Sequence, residues 1–257
     1  MLPKNSKINY NKRENSRISY NYCENSKINY NYCEIRGFMK YTPIEMPRGT
    51  HYGNNYYEVY SPKLRRIVKL FSNIEYYNYL SLEINPDVIS FCEQPYRASI
   101  EFDGKKKEVI FDMYVEYKDG SSEFQEVKYK SELDGQDSAS LRSQEQIRRE
   151  KIWCEENGYT YVVRTDKDIL RGKYTASNMN VMAARLRRYN PLDDYYTKRV
   201  LVAFRDENHM TLDEMKEFHL LPENHELEHL CYLYSIGIVQ FNIDNKPIDG
   251  KLTVALR

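Results

Sequence analysis

Hydrophobic and polar residues alternate with a period of two from Glu108 to Lys128, broken once by turn chemistry. Val109, Phe111, Met113, Val115 and Tyr117 share one face of a strand over 108–117, Lys118-Asp119-Gly120-Ser121 is suited to a turn, and Phe124–Tyr129 alternates again, less cleanly. This pattern predicts a hairpin. The run Val109-Ile110-Phe111 with Met113 and Val115 is too apolar for a solvated ribbon, so the first strand is expected to be central.

The flanking pattern extends this frame. Ser72-Asn73 is a helix N-cap followed by a helix over 74–82, with Ile74, Tyr77 and Leu80 as its apolar stripe. Short strands are expected at Val88–Phe91 and Tyr96–Phe102, the latter turning at Asp103-Gly104. A polar loop over Ser131–Ser138 precedes a long helix, Ala139–Asn157, with Leu141, Ile147, Ile152 and Trp153 among its apolar positions and Gly158 as its stop. A strand at Tyr159–Val163 and a short helix at 167–170, capped by Thr165-Asp166, complete the unit. The expected class is α/β, with the order αβββαβ. Before it, Pro43, Pro47, Gly49 and Gly53 make residues 39–60 mostly loop, with a short strand at Tyr56–Tyr60.

Beyond Gly172 the pattern changes. Met182–Asn190 is a basic helical stretch, and Thr211 with Glu214 has the spacing of a capping box at the start of a helix to Leu221. Another helix spans 223–236 and stops at Gly237, and residues 238–256 read as a hairpin around Asp244-Asn245-Lys246-Pro247. Helices followed by a hairpin suggest a winged-helix-like unit. At the other end, residues 5–34 repeat with a period of ten (NSKINYNKRE, NSRISYNYCE, NSKINYNYCE), too polar to offset the entropy of ordering. The expected divisions are therefore a disordered tail over 1–38, an α/β domain over 39–172 and a C-terminal domain over 173–257.

Composition removes several classes of function. The formal net charge is zero, so any nucleic-acid contact must come from local basic patches. The five cysteines (Cys23, Cys33, Cys92, Cys154, Cys231) form no C-x-x-C pair, which argues against a disulfide framework or zinc finger and for a reduced compartment. No signal peptide or membrane-length apolar run is present, and the expected location is the cytoplasm, with no membrane partner.

Chemistry concentrates on the hairpin. Glu126 and Lys128 are two apart and share a face, and an antiparallel return brings Asp112 beside them. Carboxylates converging with an amine suit a hard divalent cation and phosphodiester hydrolysis. Glu75, in the first turn of the preceding helix, is either a helix-dipole partner or a third ligand delivered to the same place. Arg65 and Arg66, and the run Lys105-Lys106-Lys107, are candidate phosphate contacts, set against their reading as solvated charges. His225 and His229 are spaced i, i+4, but no acid or thiol completes a metal set.

The order αβββαβ, with an acid on the first helix and D…E-x-K on the middle strands, resembles the restriction-endonuclease-like PD-(D/E)xK fold. Ser72-Asn73-Ile74-Glu75, Leu82-Glu83…Pro86…Val88, Glu93-Gln94-Pro95, Phe111-Asp112, Glu126-Val127-Lys128 and Trp153…Gly158…Thr165-Asp166-Lys167 narrow it. Together they resemble TnsA, the endonuclease subunit of heteromeric Tn-seven-type transposases, over about 48–170. The resemblance implies that Glu75, Asp112 and Glu126 hold magnesium (Mn2+ able to substitute) with the Val127 carbonyl, and that Lys128 is the catalytic lysine. Glu126 occupies a position that can be Gln in the family. The resemblance further implies 5′-end cleavage of transposon DNA, a DDE-type transposase partner (TnsB), an AAA+ regulator (TnsC) and a winged-helix C-terminal domain. The alternatives are a free-standing restriction or repair nuclease, or a silent scaffold of the same fold.

Overall fold

The computed structural model describes residues 40–47, 55–102, 104–190, 194–204, 207–219 and 225–257. The repeat tail over 1–38, the glycines at 49 and 53, and Asp103 of the expected turn lie outside the described residues. Residues 39–257 form one compact unit.

The chain enters through a hairpin, β1 (Tyr57–Ser61) with β2 (Arg66–Leu70), paired antiparallel from Tyr57↔Leu70 to Ser61↔Arg66. Its turn places Arg65 at φ 55°, in the left-handed region. Helix α1 (Asn73–Ile84) starts as expected, with the Ser72 hydroxyl accepting from the Glu75 N–H at 3.2 Å.

Next come β3 (Val88–Glu93), β4 (Arg97–Phe102), β5 (Lys105–Ile110), β6 (Met113–Tyr117) and β7 (Ser122–Lys128). The single central strand expected over 108–117 is in fact two. β5 pairs only with β4, as a separate ribbon, whereas β6 lies between β3 and β7 in the main sheet. The break falls at Phe111-Asp112, where Phe111 donates to the Tyr96 carbonyl and the Asp112 carbonyl accepts from the Gln94 N–H. The shared face read from the alternation is accordingly divided between two cores. Val109 and Phe111 belong to an aromatic cluster with Tyr114, Phe124 and Cys154, while Met113 and Val115 belong to a larger aliphatic core with Val127.

After β7, the expected polar loop contains a short helix, α2 (Lys130–Asp134). Helix α3 (Ser138–Glu156) then ends in a Schellman motif, in which Tyr159 donates to Cys154, Gly158 donates to Glu155, and Gly158 takes φ +72°. β8 (Thr160–Thr165) joins β7 in parallel, giving the sheet order β3-β6-β7-β8. The elements α1, β3, β6, β7, α3 and β8 thus reproduce the αβββαβ order, with the β4–β5 ribbon inserted into it.

The remainder is α4 (Asp166–Ile169), α5 (Thr175–Arg188), α6 (Asp194–Val202), β9 (His209–Thr211), α7 (Leu212–Glu217), α8 (Glu226–Ser235), β10 (Val239–Gln240) and β11 (Thr253–Leu256). Thr211 and Glu214 form the expected capping box. The basic stretch over 182–190 is the second half of α5, a helix that packs on both α1 and α8. Three short strands make an antiparallel sheet of order β10-β11-β9. The aliphatic core runs without interruption from Val68 on β2 to Val254 on β11. Among the described residues no helix is long and apolar enough to cross a membrane.

Candidate active site

The break in the strand shapes the site. Asp112 leaves the ladder just before its first pair, Met113↔Gln125, and its Oδ2 accepts the Val127 N–H at 2.8 Å. A carboxylate thereby occupies a place where a strand carbonyl would otherwise bond, and it is fixed against the residue between Glu126 and Lys128. On β7, Phe124 and Glu126 face the aromatic cluster under α3, whereas Gln125 and Val127 face α1; Gln125 accepts from Asn78 of that helix at 2.9 Å.

Glu126 is fully buried. Its Oε1 is 2.7 Å from the Lys128 ammonium and accepts from the Gln146 amide at 2.9 Å. Its Oε2 is buried without a hydrogen-bond partner among the described residues. Burial, then the charges of Asp112 and Glu150, hold its proton affinity well above the carboxylate range, with Lys128 opposing them. For Lys128 the cost of burial is outweighed by Glu126, Asp112 and Glu150, so the ammonium is firmly protonated.

Glu75 comes from the other side. Its Oε1 accepts from the Ser72 hydroxyl at 2.9 Å and its Oε2 from the Phe71 N–H at 3.1 Å, which serves the helix terminus as the dipole reading anticipates. Burial and the Asp112 charge raise its pKa to about 7, and the attraction of Lys128 is felt as well. Asp112 and Lys128 therefore influence both Glu75 and Glu126.

Sequence reasoning passed over four participants. Gln146 of α3 bridges Glu126 and Glu150, and the Tyr161 hydroxyl of β8 donates to Glu150 at 2.8 Å. Burial pushes Glu150 up to about 7. The i, i+4 spacing of Gln146 and Glu150 was the available signal, because it puts both on one helix face. Gln94, the fourth, sits at φ 38°, an unfavourable conformation for a residue with a side chain. Its N–H holds the Asp112 carbonyl at 3.0 Å, and its amide lies 3.5 Å from Glu75 Oε2.

The candidate phosphate contacts divide. Arg65 is exposed at the β1–β2 turn, and Lys106 and Lys107 are exposed on β5; of Lys105, only the backbone position at the start of β5 is described. Arg66 is corrected. Its guanidinium clasps the buried Glu93 carboxylate with two contacts, of 2.6 and 2.5 Å, so its charge is spent inside the protein. His229 is likewise a core residue, 3.0 Å from Thr197 Oγ1 and edge-on to Tyr189.

The donor chemistry suits a hard cation. It consists of oxygens only, with the acids Glu75, Asp112, Glu126 and Glu150 set against one lysine, and one buried Glu126 oxygen has no partner. Among the described residues no three His, Cys, Asp or Glu side chains stand as a preassembled metal cluster. The reason lies partly in Glu75, whose two oxygens are engaged at its own helix terminus.

Comparison with curated protein sequences finds no match. Residues 85–166 match the family model described as the TnsA-like endonuclease N-terminal domain. That span begins after Glu75 and includes Asp112, Glu126, Lys128, Gln146, Glu150 and Tyr161. The segment that carries Asp112, Glu126, Lys128 and Glu150 is thus similar to a TnsA-like endonuclease domain.

Proposed function

We propose that the protein is the magnesium-dependent DNA endonuclease subunit of a heteromeric transposase, cleaving at the 5′ ends of a transposon. The observation that carries this is the crowding of acids around one lysine within the TnsA-like segment, with a buried Glu126 oxygen left unpartnered. Glu75, Asp112, Glu126 and the Val127 carbonyl would hold the cation. When bound, it polarises a phosphoryl oxygen and lowers the pKa of a coordinated water.

The chain's own residues supply the rest. Val127's N–H fixes the Asp112 carboxylate, and Gln146 orients Glu126. Lys128 remains an ammonium throughout the neutral range; it offsets charge developing on the phosphoryl group and orients the attacking water. Exposed Arg65, Lys106 and Lys107 contribute sequence-independent attraction to the DNA backbone. The TnsA likeness makes a DDE-type transposase and an AAA+ regulator the expected partners. The succession α6-β9-α7-α8-β10-β11, with β11 between β10 and β9, supports a winged-helix reading of the C-terminal region.

Strand-resolved cleavage of transposon-end DNA, with magnesium and with and without the partner transposase, tests the assignment. Asp112→Ala and Lys128→Ala should each lower 5′-end cleavage by about 10²–10³-fold or more while partner binding persists. Wild-type rates in both variants would end the assignment.

A further inference from the structure

Away from the acid cluster, a cavity of about 380 Å³ lies between the end of α1, the β6–β8 part of the sheet, α8 and the C-terminal residues. None of Glu75, Asp112, Glu126 or Lys128 lines it. Its charge is one-sided. Arg164 from β8, Arg171 after α4 and Arg257 line it, and among the described residues Asp87 is the single acidic one. Guanidinium groups gathered around one partly open cavity are matched to an anion, which a planar fork of donors can hold.

The three arginines differ in their commitments. Arg171 is tied to Asp244 at 3.1 Å. Arg257 is exposed, and its charge is felt by Tyr234 inside the cavity. Arg164 is the telling one, because its Nε is buried with no hydrogen-bond partner among the described residues. Asp168 lies within its electrostatic reach, and its Oδ2 accepts from Thr165, at 2.9 Å from the N–H and 2.6 Å from the hydroxyl. A guanidinium is a fork of planar donors matched to phosphate oxygens, and a buried unsatisfied donor is uncommon in a folded chain.

The rest of the lining mixes polar side chains, Ser81, Asn85, Gln125 and Gln240, with aromatic and aliphatic ones. Tyr234 and Phe241 pack with ring centroids 4.6 Å apart, and Leu82 and Met179 add an aliphatic wall. Guanidinium donors beside two aromatic rings, in a space of ligand size, suit a flat group that carries a compact anion. We propose that this cavity binds a phosphate monoester on a small planar group, a ligand of mononucleotide size. The site is separate from the nuclease reading and does not depend on it.

Calorimetric titration of the full chain with 5′-AMP, adenosine and inorganic phosphate tests the proposal. AMP should bind and raise the melting temperature, phosphate should compete with it, and adenosine should bind far more weakly. Arg164→Met should weaken AMP binding about tenfold, the loss expected for one charge-assisted contact. Arg257→Met, at an exposed position that does not endanger folding, should weaken it in the same sense and decides the matter if the first variant unfolds. No AMP binding at millimolar concentration, adenosine binding as tightly as AMP, or unchanged AMP affinity in folded Arg164→Met and Arg257→Met would overturn the proposal.

Discussion

Two sets of buried acids lie in the same half of the molecule and are treated in opposite ways. Glu83, Glu93 and Glu126 are all at most 1% exposed. Glu93 accepts both guanidinium contacts from Arg66 and the Lys69 N–H. Glu83 accepts the Ser61 hydroxyl and the Lys63 N–H, while the Lys63 ammonium donates to the carbonyls of Leu82, Asn85 and Val88, between the end of α1 and the start of β3. Each has its own cation nearby and both oxygens occupied. Glu126 shares a single lysine with Asp112 and Glu150 and keeps one oxygen unbonded. Depth of burial therefore does not distinguish the two sets; the balance of local charge does.

The sharpest way to break this contrast is to remove one acid from each set. Glu93→Ala strands a buried guanidinium and should destabilise the fold by about 3–5 kcal/mol in urea unfolding. Glu126→Gln relieves part of the acid crowding and should cost the metal-free protein far less stability, or none. Equal losses in both would show that the two sets do the same job.

The pH dependence comes next. Glu75 and Glu150 hold their protons up to about 7 when folded, against the 4.5 of an ordinary glutamate. For an acid raised in this way the native state binds more protons than the unfolded one, so stability falls as pH rises between those two values. Metal-free protein should therefore lose on the order of 1–3 kcal/mol from pH 4.5 to 7, read from melting curves, and magnesium should restore it at pH 7.5. A stability that is flat or rising through this window would contradict the picture of the site.

Among the cations the same contrast predicts smaller effects. Arg65→Ala and Lys106→Ala should each reduce the salt dependence of DNA binding by about one unit of slope while leaving the melting temperature alone. Arg66→Ala should lower the melting temperature, because it uncovers Glu93. The smallest expected effect is that of deleting residues 1–38, which should leave both melting and cleavage unchanged.

Local signals were the legible ones. The Ser72 cap, the Thr211–Glu214 box and the Gly158 stop need only neighbouring residues, and each sits where the sequence places it. The break at Asp112 was not legible, since alternation runs straight through it from Val109 to Tyr117 and the change of partner is non-local. Helix α3 misled for a different reason. Its apolar residues suggested the inward face, yet Leu141 is 48% exposed, while Ser140, Arg149, Glu150 and Cys154 are buried. A polar inward face is what a helix serving an acid cluster requires, and hydrophobic periodicity cannot report it. Of the candidate site, the shared face of Glu126 and Lys128 was readable from strand parity and the approach of Asp112 from the antiparallel return, whereas Gln94, Gln146, Glu150 and Tyr161 became visible only with tertiary packing.

The detachment of β4 and β5 from the main sheet has an evolutionary corollary. Because the ribbon branches off immediately before Asp112, related chains can lengthen it, shorten it or recharge its surface without shifting any rung between β6 and β7. The exposed surface of the ribbon can thus diversify independently of the acid cluster.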